Sequence, residues 1–215
     1  MKKNLSILIA VSAMLLAGAP AFAQMHVGAG YLNSTDYYKL SENSDATTTA
    51  YNGFYAGFGY TVPVAGGLSF TPGVYYSLRT TNNASNIGDL AGFKGNTTEH
   101  NVNVPLTLSY GFSPNANIRF FVYGGPTASL GVASTTKLTA SILGYKAEDT
   151  VNNYDNDNNY GRFNIFLGAG AGAEIGGCIR ITCGYDWGML NRYTGNATGI
   201  SQRTNQLTAG ISYLF

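Results

Sequence analysis

Three charged residues in this sequence are placed to pair with one another. Glu174 and Arg180 flank the short Gly-Gly-Cys turn at residues 176–178 symmetrically. In a hairpin, side chains at facing positions on one face lie about 4.5–5.5 Å apart. Arg119 lies at the same level of the preceding apolar segment. We therefore expect Arg119, Glu174 and Arg180 to form an interior ion network. The network could be a structural lock, which only pairs charges in the protein interior, or a gate, which can open that interior. We favour the lock.

A second set of charges lies near the long connections of the chain. In alternating segments described below, the polar positions include Arg79, Arg162 and Asp186. All three side chains are therefore expected to point into the interior of the protein, near the end that carries the long connections, which we call the outer mouth. They could pair with one another inside the protein, or they could bind an anionic ligand at the mouth. We favour interior pairing.

One polar stretch, residues 152–162, suggests a calcium site. Asp155, Asp157 and Asn159 have the one, three, five spacing of a calcium-binding loop. However, Tyr160 stands where such a loop needs glycine, and Phe166 stands where it needs glutamate. A solvated polar loop is the better interpretation, and no metal is expected.

The two histidines offer little for catalysis. His100 follows Glu99, and a histidine–carboxylate pair can act as a base. Adjacent residues in a strand point to opposite faces, however, and no serine is placed beside the pair. We expect a protein that is not an enzyme and that has no cofactor.

The elements that position these residues begin after an export signal. Residues 1–23 combine two lysines, an apolar stretch and a final Ala-Phe-Ala, which is typical of a cleaved secretory signal peptide. Residues 24–215 are then expected to form one domain. This part carries ten basic and eleven acidic residues, because Lys2 and Lys3 are two of the twelve basic residues. Such a balance gives no reason to expect a nucleic acid partner.

The mature chain alternates between apolar and polar residues in eight segments. Each is about as long as a tilted strand that crosses a bilayer, roughly 9–11 residues. The segments are 25–33, 53–62, 67–79, 101–112, 117–131, 162–176, 178–190 and 206–215. The connections between them alternate between long and short. This pattern predicts an all-β, eight-stranded antiparallel up-and-down barrel.

The aromatic residues distinguish a soluble barrel from a transmembrane barrel. Most aromatics of the apolar parity lie at segment ends, where membrane interfaces select them, and not in the middle. Those near the short turns or the C-terminus are Tyr60, Phe70, Tyr110, Phe112, Phe120, Tyr213 and Phe215, and those toward the other end are Phe54, Tyr76, Phe163 and Trp187. Two such girdles predict a transmembrane β-barrel.

The two cysteines are not expected to form a disulfide. Cys178 and Cys183 lie five residues apart in one predicted strand, roughly 16 Å at ~3.3 Å per residue. A disulfide needs Cα atoms within about 7 Å. We expect free, buried thiols.

Several stretches carry a family resemblance. The sequences "GLSFTPGVYYS", "VNVPLTLSYGF", "FFVYGGPTASL" and "GCIRITCGYDWGMLN", together with the terminal "SYLF", resemble the outer membrane protein beta-barrel domain family, in its PorT-like group of small porin-superfamily barrels. The resemblance implies an eight-stranded barrel in the cell outer membrane with periplasmic termini. It also implies that Phe215 is the signal by which the barrel assembly machinery takes up the precursor.

Two functions remain open at this point. The first is a non-enzymatic outer membrane barrel with a structural role that also contacts other surfaces through long extracellular loops. Its expected partners are outer membrane lipid and lipopolysaccharide, the assembly machinery during insertion, and a cell-surface ligand. The alternative is a narrow porin-like channel or a component of a secretion machinery, as the resemblance allows.

Overall fold

The computed structural model describes residues 23–41, 44–87, 91–142, 145–155 and 158–215. The expected signal peptide, residues 1–23, therefore lies outside the described residues except for Ala23. No helix in the described ranges is long and apolar enough to span a membrane. Within these ranges the strands are β1 Gln24–Lys39, β2 Thr47–Ala65, β3 Leu68–Ile87, β4 Ala91–Asn115, β5 Ile118–Ile142, β6 Tyr145–Asn152, β7 Phe163–Ile175, β8 Ile179–Gly188 and β9 Ser201–Leu214.

Eight of these strands close into a ring. Each strand of the series β1, β2, β3, β4, β5, β7, β8 and β9 pairs antiparallel with the next. The last strand returns to the first, from His26 opposite Leu214 to Lys39 opposite Ser201. Closure leaves no free edge in the ring. The predicted eight-stranded antiparallel up-and-down barrel is confirmed.

The two ends of the barrel differ. One end carries the tight turns after β2, β4 and β7 together with the termini of the ring, and we call it the turn end. The opposite end carries the long connections, and we call it the loop end. The positive φ angles of Gly66, Gly67, Gly176 and Gly177 allow two of the tight turns, because residues with a Cβ rarely adopt that conformation.

The strands at the loop end are longer than the sequence predicted. Residues 80–99 and 132–161 were expected to be irregular connections, but β3, β4 and β5 continue through them and β6 pairs with β5. Threonine favours extended backbone, and threonines pair across strands here, as Thr80 does with Thr98. We call residues 80–87, 91–100, 133–142 and 145–152 the loop-end sheet.

The alternation of the sequence places apolar side chains on the outside of the ring. Val27 is 51% exposed, whereas His26 on the opposite face is 3% exposed. The same contrast holds along β4, where Leu108 is exposed and Ser109 is buried. An apolar outer surface around a polar interior is the inverse of a soluble barrel and suits a bilayer.

Glycines and aromatic rings fill the interior together. The run Gly-Ala-Gly-Ala-Gly-Ala at 168–173 lies in β7 with its glycines inward. A Cβ built on Gly170 would lie 2.4 Å from Cζ of Tyr123 and 2.5 Å from the backbone oxygen of Cys183. The tyrosine ring therefore lies directly on the bare backbone, as a strand with small residues permits.

Most of the predicted girdle residues are exposed on the outer surface, and three of the sequence expectations need correction. Tyr60 is only 8% exposed, so it does not join an exposed aromatic band. Cys178 and Cys183 are free, but neither is buried. Cys178 lies in the turn and not in a strand, whereas Cys183 points outward from β8. Phe70 is half-buried, and the exposed members of the two predicted girdles are Phe54, Tyr76, Tyr110, Phe112, Phe120, Phe163, Trp187, Tyr213 and Phe215.

Candidate functional site: ion networks at both ends of the barrel

The turn-end network consists of Arg119, Glu174 and Arg180, the three residues grouped by sequence. The register places Glu174 directly between its partners, opposite Arg119 on β5 and opposite Arg180 on β8. Arg180 donates to Glu174 from Nη2 at 2.7 Å and from Nε at 3.0 Å. Arg119 donates to the same carboxylate from Nη1 at 3.1 and 3.2 Å.

This network carries one positive charge in excess, because two guanidinium groups share one carboxylate. Arg180 is buried and also donates to Thr61 Oγ1 at 3.0 Å. Arg119 is more open, with 23% of its side chain exposed, and donates to the backbone oxygen of Gly67 at 3.3 Å. The excess charge is therefore best accommodated by Arg119, where water can reach it.

The loop-end network is larger and consists of Asp36, Arg79, Glu99 and Arg192. Arg79 lies at its centre and donates to Asp36 in a two-bond fork, at 2.7 Å to Oδ1 and 3.1 Å to Oδ2. It also donates to Glu99 Oε2 from Nε at 2.8 Å and from Nη2 at 2.5 Å. Forked guanidinium–carboxylate contacts are among the strongest hydrogen bonds in proteins.

Glu99 joins the second arginine to the network. Arg192 donates to Glu99 Oε1 at 2.6 Å, as does the hydroxyl of Tyr154 at 2.6 Å. The Tyr160 hydroxyl donates to Glu99 Oε2 at 3.1 Å. Burial raises the pKa of Tyr154, and the Glu99 carboxylate raises it further, so this phenol remains a donor.

The loop-end network is electrically neutral and buried. Two guanidinium groups balance two carboxylates, and all four side chains are buried. Burial lowers the pKa of Arg192, but Glu99 raises it more, so Arg192 stays charged. Buried charges are tolerated when each is paired and hydrogen-bonded, which is the case for these four residues.

Strand register and two connecting segments position this network. Arg79 on β3 faces Glu99 on β4, and Asp36 on β1 accepts a hydrogen bond from Thr204 on β9 at 2.7 Å. Arg192 comes from the segment between β8 and β9. Tyr154 and Tyr160 come from the segment between β6 and β7, which folds back over the mouth of the barrel.

The predicted grouping of Arg79, Arg162 and Asp186 is not what the structure shows. Only Arg79 belongs to the loop-end network. Arg162 lies over the ring of Tyr154, 4.5 Å from its centroid, and Asp186 lies deeper, where it accepts a hydrogen bond from Gln206 at 2.9 Å. Shared parity placed Arg79 and Asp186 inside the barrel, but they lie at different depths along its axis.

Sequence reasoning missed most of the loop-end network. The alternation from His26 to Leu32 predicts that Asp36 also points inward, and the same rule applied to residues 99 and 101 predicts an inward Glu99. Both signals were available in the sequence. Nothing in the sequence pattern indicates where Arg192 lies, because it follows the last residue of a strand.

A chamber of about 180 Å³ lies between the two networks. Tyr55, Tyr75 and Tyr123 line it together with Asp186 and Gln206. At the turn-end side, His26 Nε2 lies 3.0 Å from the Tyr75 hydroxyl. The chamber is therefore aromatic and polar. Glu174 and Arg180 of the turn-end network line one end of it, and at the other end it adjoins a smaller pocket that Arg79 and Arg192 line.

The remaining candidate sites are separated by the structure or fall outside it. Glu99 points inward, whereas His100 points outward and contacts the Tyr76 hydroxyl. The two side chains therefore do not form a pair. Asp157, on which the calcium spacing depends, lies outside the described residues.

Comparison with known proteins places the chain in a family. Residues 22–192 match the family described as outer membrane protein beta-barrel domain. The chain belongs to this family. Its location is the outer membrane, in agreement with the apolar outer surface of the ring. The predicted family membership and location are both confirmed.

The chain is similar to several solved structures at low sequence identity. Ail, the attachment invasion locus protein of Yersinia pestis, in complex with the heparin analogue sucrose octasulfate, is 15% identical with a TM-score of 0.43, over 90% of this chain and 99% of Ail. Neisserial surface protein A is 15% identical with a TM-score of 0.41, over 89% of this chain and 97% of that protein. No curated protein sequence matches the chain.

Proposed function

We propose that residues 24–215, after removal of residues 1–23, form a closed, non-enzymatic outer membrane barrel that acts through its surface. The observation that carries this proposal is the loop-end network. It places four paired charges across the mouth of the barrel, all of them buried. An eight-stranded barrel has an interior that side chains can fill, and at the loop end these four side chains do so.

The energetics of the loop-end network argue against an open channel. To open the mouth, Arg79 or Arg192 would have to give up its ion pair with Glu99, which would leave this buried carboxylate with one guanidinium partner in place of two. Breaking a buried pair in this way costs about 3–5 kcal/mol. A solute would have to supply that free energy at each passage.

The loop-end sheet supports a role in contacts with other molecules. β4 and β5 contain 25 residues each, whereas about 9–11 residues cross a bilayer. More than half of each strand therefore lies beyond the apolar band. β6 is exposed along almost its whole length, and within the described residues it pairs only with β5. Surface molecules such as lipopolysaccharide or a cell-surface ligand would meet this sheet first.

The chamber favours the alternative function, a narrow channel or a component of a secretion machinery. Its volume of about 180 Å³ is space that a solute could enter if one network opened. The turn-end network is the weaker barrier, because Arg119 is partly exposed. In this alternative the turn-end network is a gate and not a lock.

Two measurements separate these functions, one on the refolded full chain and one on cells that display it. Planar bilayer recordings should show no stable conductance, and cells that display the protein should bind surface ligands through the loop-end sheet. Replacing residues 137–150 with a short turn should abolish that binding and leave the barrel folded. Stable conductance that the hairpin replacement does not alter would overturn the proposal.

A further inference from the structure

A polar cup lies above the loop-end network and shares with it only Tyr160, whose hydroxyl donates to Glu99. It has a volume of about 290 Å³, near the lower end of the ~300–1,000 Å³ typical of small-molecule sites. Its walls come from β2, β4, β5 and β9 and from the residues that follow β6. The cup thus lies at the loop end, and the buried charges of the loop-end network lie beneath it.

The lining of the cup is uncharged. All eight side chains that border it carry hydroxyl or amide groups, and two of them are tyrosines. The arginines beneath the cup are already paired, Arg79 with Asp36 and Glu99, and Arg192 with Glu99. The cup therefore offers neither a free cation for an anionic ligand nor a carboxylate for a metal ion.

The hydroxyl and amide groups are held in place before any ligand binds. Asn153 donates to Ser134 Oγ at 2.9 Å and accepts from Thr136 Oγ1 at 3.0 Å. The Thr136 hydroxyl also lies 2.8 Å from that of Thr97. The side-chain amide of Gln202 makes no hydrogen bond to other described residues. Fixed hydroxyls and one uncommitted amide provide both donors and acceptors, which is what a ligand rich in hydroxyl groups requires.

Tyr51 adds an apolar surface to this polar wall. The guanidinium of Arg79 lies over its ring, 4.4 Å from the centroid, and fixes the ring at the edge of the cup. A guanidinium occupies only one face of a ring. The rest of the Tyr51 side chain borders the cup, where a C–H surface can pack against it.

We propose that the cup binds a neutral saccharide, with the sugar ring against Tyr51 and its hydroxyl groups on Thr136 and Gln202. This inference rests on the proposed surface role and names the class of ligand. The same chemistry is present in two sources, the uncharged sugars of lipopolysaccharide and the glycans of another cell.

The test uses the refolded full chain in detergent free of lipopolysaccharide. Binding is measured to arrays of neutral, sialylated and sulfated glycans, and to an uncharged lipopolysaccharide core oligosaccharide. We expect binding to neutral saccharides that changes little with salt, since no charge is involved. The array and the core oligosaccharide distinguish the two sources. Binding only to sulfated or sialylated glycans, falling with salt, would overturn the inference.

Two matched pairs of variants locate the site. Tyr51→Leu should weaken neutral saccharide binding about tenfold, whereas Tyr51→Phe, which keeps the ring, should stay within about threefold. Thr136→Val should weaken binding about fivefold. Thr35→Val makes the same change on the outward face of β1, outside the loop-end sheet and outside the cup, and should have no effect. Heat-modifiable migration on gels verifies that each variant is folded.

Failure of this inference can be told from failure of the proposed function. The barrel could fail to bind saccharides and yet show no conductance and still bind surfaces through residues 137–150. That result rejects the cup alone. Stable conductance rejects the closed barrel, whatever the array shows. Equal loss of binding in Thr136→Val and Thr35→Val would also reject the cup as the site.

Discussion

The loop-end network makes its sharpest prediction at Glu99. This side chain is 1% exposed and accepts five hydrogen bonds, two from Arg79 and one each from Arg192, Tyr154 and Tyr160. The substitution Glu99→Gln keeps the shape of the side chain but removes its charge. It also replaces one acceptor oxygen with an amide that donates toward groups that are themselves donors.

The size of the effect follows from the charge balance. The wild-type network is neutral, and Glu99→Gln leaves one buried positive charge without a partner. Removing one member of a buried pair typically costs about 3–5 kcal/mol, so we expect the free energy of unfolding to fall by that amount. Arg192→Met in the same chain removes the excess charge. The double variant should therefore recover at least about 2 kcal/mol of the loss, as a coupled pair does in a double-mutant cycle.

Urea unfolding in lipid vesicles, followed by the fluorescence of the single tryptophan Trp187, measures these differences. Glu148→Gln is the matched control, because it makes the same change at an exposed residue of β6 and should alter stability by less than about 0.5 kcal/mol. A loss below about 1 kcal/mol for Glu99→Gln would refute the reasoning. So would a double variant whose loss equals the sum of the two single losses.

Four further predictions concern other parts of the barrel. Glu174→Gln should keep heat-modifiable migration and stay silent in planar bilayers if the turn-end network is a lock; new conductance would make it a gate. Deletion of Phe215 should slow insertion into the outer membrane more than it destabilises the finished barrel. Pulse-labelling measures the rate of insertion, and urea unfolding measures the stability. Gly170→Val should prevent formation of a heat-modifiable barrel, because a Cβ there meets the backbone oxygen of a neighbouring strand at 2.5 Å. In vesicles, a charged maleimide should label Cys178 and spare Cys183, whereas a lipid-soluble one should label both, since only Cys183 faces the bilayer.

The barrel could be predicted because its two faces meet different surroundings. Within residues 101–112 every second side chain is apolar, and those side chains face outward, as the sequence indicated. The loop-end sheet could not be predicted in this way. Both of its faces lie outside the apolar band, so residues such as Thr97, Thr98, Thr135 and Thr136 carry no apolar alternation, although they form regular strands.

The two ion networks also show how far the sequence alone could predict the structure. Glu174 and Arg180 could be paired from sequence because a tight turn fixes their register, and Arg119 follows from the next strand. Arg192 and its contact with Glu99 could not be inferred. A connection of more than ten residues separates β8 from β9, and no local rule fixes where a side chain in such a segment lies.

The difference between the two networks decides how water and solutes reach the chamber. In the loop-end network, opposite charges are equal in number and all four charged side chains are buried, so any opening must break a buried ion pair. At the turn end, the excess positive charge belongs to Arg119, which can turn toward water while Arg180 keeps both of its bonds to Glu174. The costs of opening are therefore unequal. Exchange between the chamber and its surroundings is expected through the turn end, and the loop end remains closed beneath the cup.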